Sequence, residues 1–185
     1  MKTEIYRPTT ENLEICAELL RRGELVAFPT ETVYGLGGNA LDKDAAIRIY
    51  AAKGRPSDNP LIVHIADKET VNTLAAVVPE KAKIVMDRFM PGPVTIVLPK
   101  KEIVPDNVTG GLKTVAIRMP NNPVALGLIA RAGVPVCAPS ANTSTRPSPT
   151  SAAHVYNDLN GKIPAILDGG DCEVEIGRAS CRERV

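Results

Sequence analysis

The 185-residue sequence has no tryptophan and only two phenylalanines and four tyrosines, so it lacks the aromatic platform on which single-stranded nucleic acids stack. Its formal net charge is +1, which gives no global field for a polyanion; any anion site must come from local clustering. There is no stretch of about 18 uninterrupted apolar residues and no apolar segment after Met1, so neither a membrane-spanning helix nor a secretory leader is expected. The four cysteines, Cys16, Cys137, Cys172 and Cys181, form no Cys-x-x-Cys pair and no Cys/His metal pattern. Buried free thiols in a reducing, cytoplasmic setting are the default reading. Gly-x-x-x-x-Gly-Lys-Ser and Gly-x-Gly-x-x-Gly are also missing, which excludes the commonest phosphate loops.

What is present is an ordinary globular composition, 44% hydrophobic and 23% charged, enough for one self-sufficient core. No repeat or linker divides the chain. Leu13, Cys16, Ala17 and Leu20 recur at helical spacing, with Thr10 as cap and Gly23 as stop. Asp42, Asp67 and Pro79 open three further helix patterns, and two more cover Leu126 to Ala130 and Ser151 to Leu159. Strand patterns fall at Glu4 to Tyr6, Leu25 to Phe28, Leu61 to Val63, Val94 to Leu98, Thr114 to Met119, Val134 to Ala138 and Ile163 to Leu167. Strands and helices alternate without strict order, so the expected class is a single α/β domain with a twisted, mixed sheet and ligands at strand ends. The connection from Lys100 to Lys113, with Gly110 and Gly111, reads as a mobile lid or a solvated loop.

Three stretches carry chemistry. Lys53-Gly-Arg55 opens a loop stiffened by Pro56 and Pro60 that runs into Leu61-Ile-Val-His64. Its cations either complement the end of a helix or meet phosphate; His64 is either a hydrogen-bonded structural residue or part of a site. Pro29-Thr-Glu-Thr32-Val-Tyr-Gly-Leu-Gly-Gly38 puts hydroxyls and a carboxylate at a strand end, followed by glycines where bare backbone can approach a ligand. Pro139 to Thr150 is a hydroxyl-rich run with one arginine, a linker unless its apolar brackets hold it in place. Between them Thr114, Ala116 and Arg118 share one strand face, and an arginine there reaches solvent or meets an anion.

Taken together, Phe28-Pro-Thr-Glu-Thr-Val-Tyr-Gly-Leu-Gly37, Lys53 to His64, Val115-Ala-Ile-Arg-Met-Pro120, and Ala138-Pro-Ser-Ala-Asn142 followed by Arg146-Pro-Ser-Pro-Thr150 resemble the threonylcarbamoyl-AMP synthase (YrdC-like) family. The resemblance covers residues 1–174 and implies a YrdC-like domain, a twisted sheet and helices around a concave basic cavity. It implies a nucleotidyltransferase that joins L-threonine, bicarbonate and ATP into threonylcarbamoyl-AMP with release of pyrophosphate. A second enzyme then uses that product to modify tRNA. By motif position, Thr32, His64, Arg118 and the main chain at Ala138 would hold threonine. Lys53, Arg55, Asn59, Thr114, Ser140 and Ser148 would hold ATP, with Lys53 and Arg55 acting electrostatically. No residue is assigned as a nucleophile or as a metal ligand. Mg²⁺ would arrive bridging the phosphates, and no organic cofactor is implied.

The sequence departs from the family after Val174. Where the family continues into a Gly-Ile/Val-Glu-Ser-Thr motif that contributes another threonine contact, residues 175–185 read Glu-Ile-Gly-Arg-Ala-Ser-Cys-Arg-Glu-Arg-Val. This segment has no apolar pattern and reads as a truncated or frame-shifted end, or a cloning scar. The second domain of longer family members is not expected. Three rival readings are a double-stranded RNA or tRNA binding module without catalysis, a carbamoyl-adenylate enzyme of the hydrogenase-maturation kind, and an inactive truncated fragment. The near-neutral charge disfavours the first.

Overall fold

The computed structural model describes residues 2–54 and 59–172. In chain order it has β1 (Glu4–Tyr6), α1 (Thr10–Arg21), β2 (Val26–Pro29), β3 (Tyr34–Asn39), α2 (Lys43–Lys53), β4 (Ile62–His64), α3 (Thr70–Leu74), α4 (Glu80–Phe89), β5 (Ile96–Pro99), α5 (Asp106–Thr109), β6 (Thr114–Arg118), α6 (Pro123–Ala132), β7 (Val136–Ala138), α7 (Ala152–Leu159) and β8 (Ala165–Leu167). The strands form an eight-stranded sheet in the order β1-β8-β2-β3-β7-β4-β6-β5. Pairing is parallel for β1 with β8, β2 with β8 and β4 with β6, and antiparallel for the rest. The mixed α/β class expected from the sequence is therefore the observed one.

Local chemistry explains most boundaries. Thr9, one residue before the expected cap, accepts from the Asn12 main-chain N–H and opens α1. Asp42, Asn122 and Ser151 cap α2, α6 and α7 in the same way. Gly54 and Gly133 close α2 and α6 in the left-handed conformation that side chains resist. The third helix is shorter than its pattern, because the chain leaves it at Ala75 to bridge Lys100 at the edge of β5.

Two expectations are corrected. The glycine-rich stretch after Pro29 is not a ligand loop but β3, an interior strand, and its glycines answer to protein neighbours. A Cβ on Gly37 would lie 2.7 Å from both the Phe28 ring and Val136 Cγ1, and one on Gly38 would lie 3.1 Å from Ala45 Cβ on α2. The glycines let α2 approach one face of the sheet and the Phe28 ring cross the other. The connection from Lys100 to Lys113 is not a lid either. It contains α5, buries Val104 and Val108 completely, and is tied down by Lys100, whose ammonium donates to Val104 O and Asp106 Oδ1 at 2.6 and 2.7 Å.

The two faces of the sheet are covered unequally. Leu36, Val63, Val115, Ile117, Cys137 and Ile166 point into the larger core with α2, α3, α5 and α7. On the other face, Val26, Phe28, Val136, Ala165 and Leu167 pack under α1 and α6. That second cover stops short. The alternation of β6, with Val115 and Ile117 buried and Thr114, Ala116 and Arg118 partly open, leaves this strand and Ile62 of β4 only partly covered beside the edge of α6, while His64 and Ala138 on the same face are buried. Val97, paired with Ala116 on the neighbouring strand, is 63% exposed.

Candidate functional site at the uncovered sheet face

Register brings the sequence-predicted residues onto that face. His64 pairs with Arg118 on one side and with Val136 on the other, and Ile62 pairs with both Ala116 and Ala138. Paired residues share a face. Ala138 and Ser140 continue the alternation from Val136, and Ser140 forms a bridge to Gly35 at the start of β3. Thr32 arrives from the turn between β2 and β3, where its hydroxyl accepts from Arg118 Nη2 at 3.2 Å. Thr32, His64, Arg118, Ala138, Ser140 and Thr114 thus meet along one surface, with Thr114 about 13 Å from Arg118 along β6.

That turn is built by Thr30. Its hydroxyl donates to Val33 O at 2.7 Å and accepts from the main-chain N–H groups of Thr32 and Val33, which buries residues 30 to 32 at the end of a strand. Glu31, which the sequence pattern marks without assigning a role, is the site residue that sequence reasoning missed. Its carboxylate lies 2.7 Å from Arg118 Nη2, with side chains 9% and 12% exposed, and Oε2 accepts from the Asn121 main-chain N–H at 3.2 Å. A carboxylate between two buried threonines was the available signal.

His64 is buried in the same wall. Nδ1 lies 3.1 Å from Ile62 O, so it carries the hydrogen, and the ring stands edge-on to Phe28 with centroids 6.0 Å apart. Burial, then the adjacent Arg118 charge, lowers its pKa from 6.5 to about 4. The folded chain therefore holds a neutral imidazole. As pH falls from 6.5 towards 4 the unfolded chain binds a proton that the folded chain refuses, and stability declines across that window, by on the order of 3 kcal/mol at its lower end. Urea unfolding at pH 7 and pH 4.5 should show this loss in the parent and a smaller one in His64→Gln; equal losses would remove His64 as the cause.

The loop from Pro139 to Thr150 is no linker; it starts with Ser140 on this face and runs on to α7, which packs in the larger core. Lys53, at the end of α2 and 3% exposed, donates its ammonium to Ser140 O and to Asn142 O, the latter at 2.6 Å, while its own carbonyl accepts from Ser144 N–H at 3.0 Å. Asn142 Oδ1 accepts from the Ser140 hydroxyl at 2.6 Å, and its amide donates to Thr143 O and Arg146 O. Asp158 on α7 receives the Thr143 N–H and pairs with Arg146 at 2.7 Å, and its hydrogen bonds hold its carboxyl below the usual range against the opposing effect of desolvation. Tyr34 N–H donates to Pro149 O, tying the far end of the loop to β3. Ser148 lines a cavity of about 490 Å³ with Arg146, Thr150, His154 and Asp158. Asn59 is exposed, and its carbonyl accepts from the Tyr50 hydroxyl at 2.5 Å.

Two expectations change in character here. Lys53 reaches the loop that carries Ser140 rather than open solvent, its ammonium donating to two of that loop's carbonyls. The expected basicity of the hollow is reduced, since both Lys53 and Arg118 already face protein oxygen atoms. Arg55 and the altered tail lie outside the described residues. Among the described residues no group of three or more His, Cys, Asp or Glu side chains is placed to hold a metal. Cys16 and Cys137 are buried, and burial pushes both thiols up to about 12.

Comparison with known proteins places this geometry. A family profile for Sua5, YciO and YrdC proteins, described as telomere recombination, matches residues 18–179. Curated relatives called threonylcarbamoyl-AMP synthase include one from Bacillus subtilis, 60% identical over 161 residues, and one from Pyrococcus abyssi, 57% identical over 164 residues. These alignments cover 86% and 89% of this chain but 46% and 48% of the relatives, so the chain spans about half their length. The crystal structure of P. abyssi Sua5 complexed with L-threonine superimposes with a TM-score of 0.91 at 53% identity, over 95% of this chain and 52% of that one. With a profile across most of its length and relatives at this identity, the chain belongs to the Sua5/YciO/YrdC family.

Proposed function

We propose that the chain is the catalytic domain of an L-threonylcarbamoyladenylate synthase, a nucleotidyltransferase that makes threonylcarbamoyl-AMP and pyrophosphate from L-threonine, bicarbonate and ATP. The observation that carries this reading is the meeting of Thr32, His64, Arg118 and Ser140 on one face of the sheet. It is supported by relatives carrying that name and by a superimposable relative complexed with L-threonine. Arg118 offers a guanidinium to the amino-acid carboxylate, and Thr32 and His64 fix its surroundings. ATP lies towards Thr114, Ser140 and Ser148, with Asn59 from the segment before β4; Arg55, outside the described residues, is assigned to ATP by motif position, and Lys53 keeps the Ser140 turn in shape.

Catalysis in this reading is positioning and charge neutralisation without a protein nucleophile. The α-amino nitrogen of bound threonine, once its ammonium has given a proton to solvent, bonds to the bicarbonate carbon with loss of water; an oxygen of the resulting carbamate attacks the α-phosphorus and pyrophosphate leaves. Mg²⁺ would be brought in with the nucleotide and would supply charge neutralisation there, with no described residue assigned to hold it. The product passes to a threonylcarbamoyl-transfer enzyme acting on tRNA, and the cytoplasm is the setting proposed with it.

Pyrophosphate release measured with ATP, Mg²⁺ and bicarbonate, with and without L-threonine, tests the reading on this chain. Release that needs both threonine and bicarbonate is expected. Release indifferent to threonine, or tight salt-sensitive RNA binding with no release, would replace this function by another.

A further inference from the structure

Three buried side-chain polar atoms have no hydrogen-bond partner among the described residues, and two of them, Glu31 Oε1 and Arg118 Nε, belong to one ion pair; the third is Ser144 Oγ. The pair is close, 2.7 Å from Oε1 to Nη2, but no N–H of that nitrogen is aligned on the oxygen. Buried polar groups are normally satisfied, and leaving them unmade is costly. Glu31 Oε1 and Arg118 Nε thus lack a hydrogen bond among the described residues although the two side chains, both about nine-tenths buried, are ion-paired with each other.

We infer that Glu31 is a substrate-binding residue that receives the α-ammonium of the amino acid while Arg118 receives its carboxylate. This rests on the function proposed above and deepens it. A zwitterion brings a donor for Glu31 and an acceptor for Arg118, and so exchanges the contact these two make with each other for one to each of its own charges. The carboxylate is already oriented to receive a cation, because Asn121 N–H binds Oε2 and leaves Oε1 able to turn to a new donor. Arg118 is steadied independently by the Thr32 hydroxyl. Glu31 also gives the site a reason to refuse other acids. A simple carboxylate approaching Arg118 meets the Glu31 charge at close range, and only a ligand that brings its own cation cancels that repulsion. The arginine supplies affinity for carboxylates in general, and Glu31 restricts it to amino acids.

Calorimetric binding to the full chain, comparing L-threonine with the analogue that carries a hydroxyl in place of the α-amino group, tests this. The parent should bind threonine about 30-fold or more tightly than the analogue, the span of a charge-assisted hydrogen bond. Glu31→Gln should lose a similar factor for threonine and bind the analogue no worse than the parent does. Parallel loss of both ligands in Glu31→Gln would make Glu31 merely a support for Arg118, and unchanged threonine binding would remove it from the site; either overturns the inference. If Glu31→Gln fails to fold, the parent's own preference decides, since equal affinity for the two ligands leaves no role for an ammonium acceptor. A parent that binds no amino acid at all sinks the proposed function first, a distinct result.

Discussion

Arg118→Met is expected to lose threonine-dependent pyrophosphate release by about a thousandfold and to melt roughly 10 °C lower, whereas Arg118→Met combined with Glu31→Gln regains most of the melting temperature and none of the activity. The two losses have separate causes. Arg118 ends β6 with its guanidinium 12% exposed against a carboxylate that is 9% exposed. Removing the cation alone strands a buried anion, at a cost of about 3–5 kcal/mol. Neutralising Glu31 as well removes that penalty, because a neutral amide can keep the Asn121 N–H bond now made by Oε2. Catalysis does not recover, since the substrate carboxylate has lost its counter-charge. Arg118→Lys keeps a charge but not the planar fork, and should stay below about a tenth of parental turnover. Thermal melting with the pyrophosphate assay reads both effects. Full activity in the single variant would remove Arg118 from the site; a double variant as unstable as the single one would refute the stranded charge.

Lys53→Met is expected to act at a distance from the lysine itself. The ammonium serves two main-chain carbonyls, Ser140 O and Asn142 O, and sits 3.4 Å from Asn142 Oδ1. Methionine fills the stem's space but leaves those oxygens without their donor, costing about 2–4 kcal/mol. The turn that presents Ser140 then relaxes, although Ala141 N–H still donates to Tyr34 O at 2.8 Å. The KM for ATP should rise about tenfold or more while threonine binding changes little, because Arg118, Glu31 and Thr32 are anchored elsewhere. Hydrogen exchange should accelerate at Ser144, whose N–H donates to Lys53 O. A variant with unaltered exchange and an ATP-specific defect would instead mean that Lys53 leaves the turn and meets phosphate directly.

Periodicity made the fold legible where a pattern had one meaning. The apolar repeat of α1, the alternation of β6 and the cap at Asp42 all appear as read. It failed where residue type reflects packing across the sheet. Gly37 and Gly38 look like a loop because strands rarely carry glycines, yet Phe28, Val136 and Ala45, distant in sequence, demand them. The site was legible as a set of motifs and not as a network. Nothing local reveals that Lys53 would be spent on the Ser140 turn, that Asp158 would organise the loop before it, or that Glu31 would face Arg118, a residue far along the chain. Each depends on strand order, which periodicity does not encode.

That strand order also shapes how the protein is made. β8 lies between β1 and β2, with Ala165 in register with both Glu4 and Val26, so during synthesis these two strands have no neighbour on that side until β8, far along the chain, emerges. At about 5–20 residues per second, this edge of β2 stays unpaired for on the order of ten seconds in a nascent chain. An apolar strand left open for that long is a template for self-association, so the yield of folded protein should be decided during synthesis rather than by the stability of the finished domain.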